Sequence, residues 1–171
     1  MQGPIARYLS DDHDRLDALL DRATKNPGAI DQEAYAQFRS GLLRHIGMEE
    51  KILLPAAARL RGGTPIPVAD RIRLDHGAIT ALMVPPPDSE IIAALRSILR
   101  VHNDLEEQEG GVYQMCEQLA GSEGDKLLGQ LKAMPEVPLL SHNPDPRVLE
   151  ATQRAVERAG YSMKLRRSSH A

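Results

Sequence analysis

The sequence predicts an all-α protein, an up-down-up-down antiparallel four-helix bundle followed by a C-terminal helical extension. Apolar residues recur at steps of three and four along four separate segments, the spacing of helices that bury one face. Aromatic strand formers are sparse, since Trp is absent and Phe38 is the only Phe. Because short turns join the four segments, neighbouring helices are expected to run antiparallel.

The first two predicted helices carry recognisable start and stop residues. Pro4 suits the first turn of helix one, whose apolar stripe includes His13. The sequence Asn-Pro-Gly at 26–28 ends that helix, and Asp31 can cap the second one. Pro55 is expected to kink or end the second helix.

The next two helices are bounded in the same way. A third helix is predicted over about 67–83, with His76 on its apolar side. The prolines at 85–87 exclude helix interior, and Asp88 is a natural cap for helix four. Two glycines at 110–111 predict an irregularity, beyond which the helix resumes.

The chain is divided into a bundle over residues 1–120 and a helical and loop extension over 121–171. The extension is expected to pack on the bundle, with helices at about 122–134 and 147–160 and a partly disordered tail. A small basic cluster near the end is interpreted as solvated tail: Lys164, Arg166 and Arg167.

Composition excludes several classes of function. A formal charge of -3 and a pI near 6.1 give no reason to expect nucleic acid or an anionic membrane as a partner. The single cysteine excludes an internal disulfide and a thiolate-rich metal site. No apolar stretch approaches membrane-spanning length and no secretory signal is visible, so a cytoplasmic protein is expected.

The pattern His-x-x-x-Glu occurs twice, and each time the Glu is doubled. On a helix this spacing puts imidazole and carboxylate on one face, a turn apart. With 6 His in 171 residues, roughly 0.4 matches are expected by chance. A lone His in an apolar segment precedes each match. The resulting candidate metal ligands are His13, His45, Glu49, His76, His102 and Glu106.

These residue types favour a pair of metal ions. A single His on an apolar stripe is more often a hydrogen-bonded core residue than a ligand. Two carboxylates at the centre of a bundle, however, would each cost several kcal/mol or take up a proton unless a cation were present. The pseudo-symmetry predicts two histidines on each ion, with Glu49 and Glu106 bridging. Mixed nitrogen and oxygen donors suit iron, manganese or zinc.

These residues, in this order and spacing, resemble the hemerythrin or HHE cation-binding domain over about residues 5–120. The resemblance implies a non-haem di-iron centre with two iron ions in an up-down bundle. Members of the family bind oxygen, sense oxygen or iron, respond to nitric oxide, or decompose peroxide. A small molecule of this kind is therefore the expected partner, in sensing or detoxification; the residues indicate no particular oligomeric state.

The resemblance is incomplete in two respects. Oxygen-carrying hemerythrins have a fifth His one turn from the third-helix ligand, where this chain has Ile72 or Thr80. The second carboxylate, Glu106, stands four residues after its His, where carriers have an Asp at five. These departures favour a more reactive centre over stable oxygen carriage. A peroxidase or catalase-type enzyme, an iron-sensing or iron-storage module and a metal-free structural bundle stay open as alternatives.

Other polar residues are expected to play smaller parts. Glu50 and Glu107 lie about 100° around the helix from their neighbours, which favours a solvent-facing side chain over metal ligation. Asp12 and Asp75 could each hydrogen-bond to a metal-ligating His. Surface placement is favoured, however, because adjacent helical residues point apart. Tyr113 is expected to be a packed core tyrosine.

The remaining candidates have no predicted chemistry. Cys116 is expected to be buried and inert. His142 and His170 have no partner at ligand spacing. Five apolar residues are predicted to form the wall of a dry pocket: Leu16, Phe38, Leu42, Ile79 and Ile98.

Overall fold

A computed structural model of the protein describes residues 2–163, and this part of the chain is helical without a strand. The prediction of an all-α protein is confirmed. The basic cluster at Lys164, Arg166 and Arg167, together with His170, lies outside the described residues. The helices are α1 (Pro4–Ala23), α2 (Gln32–Met48), α3 (Leu54–Leu60), α4 (Ala69–Leu82), α5 (Ser89–Glu107), α6 (Val112–Ala120), α7 (Gly124–Lys132) and α8 (Pro146–Arg158).

Aspartate caps start three of these helices. The Asp31 side chain accepts a hydrogen bond from the backbone N–H of Ala34, and the Asp88 side chain accepts two from the first turn of α5. The carboxylate of Asp145 caps α8 in the same way. The first turn of α1 is satisfied at longer range, because Glu117 accepts from two of its N–H groups at 2.8 and 3.0 Å.

Pro55 does not end the second helix as abruptly as its missing N–H suggests. A π-helical turn, Glu49–Leu53, lies between α2 and α3, and the N–H of Leu54 donates to the carbonyl of Glu49. The wider turn accommodates the proline, whose ring would otherwise clash with a carbonyl of the preceding turn. The helix then continues to Leu60.

The buried faces form two hydrophobic clusters with a polar layer between them. On α1, Ile5 and Leu9 belong to one cluster and Leu16 and Leu20 to the other. His13 lies between these pairs and is also buried. The same succession of apolar, polar and apolar residues occurs on α2, α4 and α5.

The C-terminal segment lies against the bundle. Helix α8 packs on α4, where Arg71 donates to the carbonyl of Ala159 at 2.7 Å and Thr152 donates to the carbonyl of Ala81 at 3.0 Å. The loop before α8 crosses α2, and Arg44 donates to the carbonyl of Met134 at 2.7 Å. Within residues 2–163, no helix combines the length and apolar character needed to cross a membrane.

Candidate metal centre

The polar layer of the core contains all the residues that the sequence singled out as metal ligands. Each is at most 5 % exposed. Their donor atoms form two sets in which all donors lie within 4.8 Å of one another. We call these the His13 group, which consists of His13, His45, Glu49 and Glu106, and the His76 group, which consists of Glu49, His76, His102 and Glu106. Both carboxylates are therefore shared between the groups.

Each imidazole directs Nε2 towards a shared carboxylate. In the His13 group, His13 Nε2 lies 3.5 Å from Glu106 Oε2, and His45 Nε2 lies 3.4 Å from Glu49 Oε1. In the His76 group, the corresponding distances are 3.0 Å from His76 Nε2 to Glu49 Oε2 and 3.3 Å from His102 Nε2 to Glu106 Oε1. The two oxygens of each carboxylate thus face different groups.

The opposite nitrogen of each His in the His13 group bonds to a carboxylate from another helix. His13 Nδ1 contacts Glu107 Oε1 on α5, and His45 Nδ1 donates to Asp12 Oδ2 on α1 at 2.9 Å. A carboxylate on Nδ1 fixes the orientation of the ring and leaves Nε2 for a cation.

The His76 group repeats this arrangement with equivalent residues. His76 Nδ1 donates to Glu50 Oε1 at 2.7 Å, while His102 Nδ1 lies 3.5 Å from Asp75 Oδ2. The last contact is too long for a good hydrogen bond. Asp75 Oδ1 instead accepts from Arg71 at 2.7 Å.

The surface placement predicted for Asp12 and Asp75 was wrong, because both are buried. The side chains of Glu50 and Glu107 are 28 % and 35 % exposed and belong to neither donor group, as the sequence predicted, but each also contacts an imidazole. A residue that points away from the His beside it in sequence points towards the neighbouring helix, where a different His needs a partner. The sequence carried a signal, because all four stand next to a predicted ligand.

Tyr113 is the core tyrosine that the sequence predicts, and it is 1 % exposed. Its hydroxyl lies inside the His13 group, a contact that the sequence did not predict. The oxygen lies 3.1 Å from both His13 Nε2 and His45 Nε2, 2.7 Å from Glu49 Oε1 and 3.0 Å from Glu106 Oε2. The spacing of seven residues from Glu106 indicated the same helix face, but not this contact.

In the absence of a cation, interactions within the polar layer shift the pKa values of its imidazoles. Burial lowers the pKa of His45, but the charge of Glu49 and the hydrogen bond to Asp12 raise it to about 9. Burial likewise opposes protonation of His76, but the adjacent carboxylates of Glu49 and Glu50 raise its pKa to about 9. These two rings are therefore imidazolium at neutral pH in the metal-free protein.

The two shared carboxylates differ in acidity. Burial raises the pKa of Glu106 well above its usual range, and the neighbouring charge of Glu49 adds to the effect. Burial also acts on Glu49, but the adjacent His45 and His76 lower its pKa well below the usual value. In the metal-free protein Glu49 therefore ionises more readily than Glu106.

Several buried atoms of the His76 group lack a hydrogen-bond partner among the described residues. They are Glu49 Oε2, His76 Nε2 and Glu106 Oε1. Native proteins rarely leave such atoms unsatisfied, and a cation coordinated by them removes the cost. Imidazole and carboxylate donors suit iron, manganese or zinc, so the residues fit the metal that the sequence pattern implied.

The other singled-out residues lie outside the two donor groups. Ile72 is fully buried, and the Thr80 hydroxyl donates to the carbonyl of His76 at 2.8 Å, so neither supplies a fifth imidazole. Cys116 is buried, and burial raises the pKa of its thiol to about 12, which keeps it inert. His142 stacks on Tyr35, away from the centre. The five predicted pocket-wall residues are all buried in the hydrophobic cluster that contains Leu20.

Comparison with known proteins supports this picture. Residues 5–111, more than half of the chain, match the model of the Hemerythrin family, described as the Hemerythrin HHE cation binding domain. A search of curated proteins and a search of solved structures each gave no match. The matched segment contains both donor groups, and the resemblance seen in the sequence is confirmed. The chain belongs to the hemerythrin family of HHE cation-binding domains.

Proposed function

We propose that this chain is a non-haem di-iron protein whose centre binds or reacts with a small molecule: oxygen, nitric oxide or hydrogen peroxide. One observation carries the proposal. Two buried donor groups share the carboxylates of Glu49 and Glu106, and each group adds two imidazoles. Shared carboxylates between two sets of nitrogen donors suit a pair of ions held side by side in a helical bundle. The proposed role is sensing or detoxification.

The protein's part is to hold the donors in place and keep the centre dry. Asp12, Glu50 and Glu107 accept hydrogen bonds from Nδ1 of three imidazoles, which leaves each Nε2 lone pair directed inwards. Hydrophobic residues above and below the layer exclude bulk water. Bound iron would supply electrons and open coordination positions for a small ligand.

The His76 group is the more open of the two. Ile72 and Thr80 offer no imidazole there, so this group has four protein donors, and three of its donor atoms lack a hydrogen bond within residues 2–163. This observation favours a second candidate function, a di-iron enzyme of peroxidase or catalase type, over stable oxygen carriage. An iron-sensing or iron-storage module uses the same ligands and is the remaining metal-dependent alternative.

A surface cleft supplies a route towards the centre. The cleft has a volume of about 420 Å³ and is lined by residues of α1 and α5, among them His13, Asp17, Arg100 and Glu107. Because His13 and Glu107 also belong to the centre or its immediate support, the cleft adjoins the metal layer. Diatomic molecules and peroxide are small enough to use such a route.

We also infer that α1, α2, α4 and α5 alternate in direction. Along α1 the chain passes from the cluster containing Ile5 to the cluster containing Leu20, and along α2 it passes back. Helices α4 and α5 repeat this alternation. This alternation supports an up-down-up-down bundle.

Manganese and zinc are possible substitutes for iron in the proposed centre. A cytoplasmic location without nucleic-acid or membrane partners accords with the formal charge of -3.

Metal loading tests the proposal directly. We expect protein loaded anaerobically with ferrous iron and desalted to retain two irons per chain, with parallel loadings of manganese and zinc for comparison. Protein that retains no metal would contradict the proposal and favour a structural bundle.

Hydrogen peroxide then separates the candidate functions. Sustained oxygen release by the di-iron protein, recorded with an oxygen electrode, identifies a catalase-type enzyme. A single stoichiometric oxidation, with reversible binding of oxygen or nitric oxide to the ferrous protein, identifies a sensor. If the protein shows neither response and a chelator readily removes its iron, the result identifies an iron-storage module.

A further inference from the structure

The two donor groups differ by one residue that the known pattern of ligands does not include. Tyr113 lies only in the His13 group, where its hydroxyl oxygen is 2.7–3.1 Å from one donor atom of each of the four members. The residue that stands seven positions after Glu49, as Tyr113 stands seven after Glu106, is Ala56. Alanine has no donor, so no equivalent contact exists in the His76 group.

The distances match those between neighbouring ligands of one ion. Donors that bind the same ion at about 2.1 Å, with angles near 90°, lie about 3 Å apart. The phenol oxygen has this separation from all four donors. A fifth donor in that place would complete a set of five protein donors for an ion in the His13 group.

The backbone is shaped to bring this residue to the centre. Helix α5 ends at Glu107 and α6 begins at Val112, with Gly110 at φ 76° between them. A Cβ on Gly111 would lie 2.7–2.8 Å from three carbonyl oxygens of the preceding turn. The break therefore depends on this pair of glycines, and Tyr113 follows it directly on the first turn of α6.

We propose that Tyr113 is a phenolate ligand to the ion in the His13 group, which makes the di-iron centre asymmetric. This inference rests on the proposed function, because it requires iron in the centre. Coordination replaces the phenolic O–H bond with a bond from oxygen to iron and releases one proton to the solvent. An ion in the His13 group would then have five protein donors, one more than an ion in the His76 group.

Spectroscopy of the oxidised protein tests the assignment without recourse to activity. A phenolate bound to ferric iron gives a visible charge-transfer band and, on excitation in that band, tyrosinate ring modes in the resonance Raman spectrum. We expect both from wild-type protein loaded with two irons. The variant Tyr113→Phe should lose both signals and still hold two irons, since the four donors of the His13 group remain.

Two controls separate Tyr113 from the other tyrosines. Tyr35→Phe removes a buried phenol from the other hydrophobic cluster and should leave the signals unchanged. A triple variant, Tyr8→Phe, Tyr35→Phe and Tyr161→Phe, retains Tyr113 alone and should keep them. This variant decides the matter even if Tyr113→Phe fails to fold.

The outcomes distinguish this inference from the proposed function. Two bound ferric ions without tyrosinate modes in wild-type protein would overturn the phenolate assignment while the di-iron proposal stands. Modes that survive in Tyr113→Phe, or disappear in the triple variant, would assign them to another tyrosine. Failure to bind iron at all would overturn both.

Discussion

The His13 and His76 groups descend from the same sequence pattern, yet their surroundings differ. In both, two imidazoles face shared carboxylates, and Nδ1 of three of the four rings bonds to a further carboxylate. After the first pattern the chain continues through a π-helical turn into α3, whereas after the second it breaks at two glycines. The break brings Tyr113 into one group and leaves the other with unsatisfied donor atoms.

This difference teaches that ligand spacing and site reactivity come from separate parts of the sequence. In the proposed centre, the repeated His and Glu residues would provide a place for two ions, and the connections that follow them would determine how many further donors each ion receives. The group with an additional oxygen is suited to hold an ion firmly. The group without it keeps more coordination positions for a small ligand.

Removing a shared carboxylate should weaken metal binding in both groups at once. Glu106→Ala takes a donor from both groups and one of the two carboxylates that neutralise the cations. We expect the metal content after desalting to fall from two ions per chain to well below one, measured by elemental analysis. The exposed Glu109→Ala is the matched control and should retain two. Retention of both ions by Glu106→Ala would remove this residue from the ligand set.

Loss of one imidazole should affect one group only. His102→Ala removes a donor from the His76 group and leaves the His13 group complete. We expect one ion per chain instead of two. The midpoint of thermal unfolding should also fall, because a bound ion stabilises the folded state.

His142→Ala is the control for this variant, since His142 lies away from the centre and stacks on Tyr35. It should keep both ions and the original midpoint. Two retained ions in His102→Ala would contradict its assignment as a ligand.

The metal-free protein should lose stability as pH rises from about 6.5 to about 9. The pKa values of His45 and His76 are raised from 6.5 to about 9 by neighbouring carboxylates, against the opposing effect of burial. Below pH 6.5 both rings are protonated whether the chain is folded or not, so the stabilisation is fully present. It disappears as the folded protein releases these protons, on the order of 3 kcal/mol for each ring.

Urea unfolding in the presence of a chelator measures this effect at pH 6, 7.5 and 9. The metal-loaded protein is the control, and its stability should rise over the same interval because neutral imidazole is the form that binds metal. An NMR titration sharpens the comparison: burial lowers the pKa of His102, the equivalent of His45. Identical titration of these two rings would contradict the asymmetry.

The candidate ligands could be selected from the sequence because their spacing follows the period of single helices. His45 and Glu49, like His102 and Glu106, share a helix face whatever the neighbouring helix does. The caps at Asp31 and Asp88 were predictable for the same reason, since each acts within its own first turn.

The supporting residues depend on packing between helices, which the sequence does not display. Asp12 supports His45 on α2 rather than His13 beside it, so its role follows from how α1 lies against α2. Tyr113 depends on the angle of a helix break as well. Periodicity placed these side chains on a face but could not say which neighbour that face meets.

The smallest expected effects come from the buried aspartates, and here too the groups should differ. Asp12 accepts from His45 Nδ1 at 2.9 Å, whereas Asp75 lies 3.5 Å from His102 Nδ1 and bonds Arg71 more closely, at 2.7 Å. Removing one negative charge therefore disturbs the ring of His45 more than that of His102.

We expect Asp12→Asn to weaken metal binding about 10–100-fold, the usual consequence of losing a carboxylate behind a His ligand. Asp75→Asn should have a smaller effect, and Asp14→Asn, a change on the exposed side of α1, should have none. Competition with a coloured chelator measures all three affinities on one scale. A larger loss of affinity in Asp75→Asn than in Asp12→Asn would contradict this account. The 2.9 Å contact between Asp12 and His45 would then not be what orients the ring, and the Arg71–Asp75 pair would matter more for the His76 group.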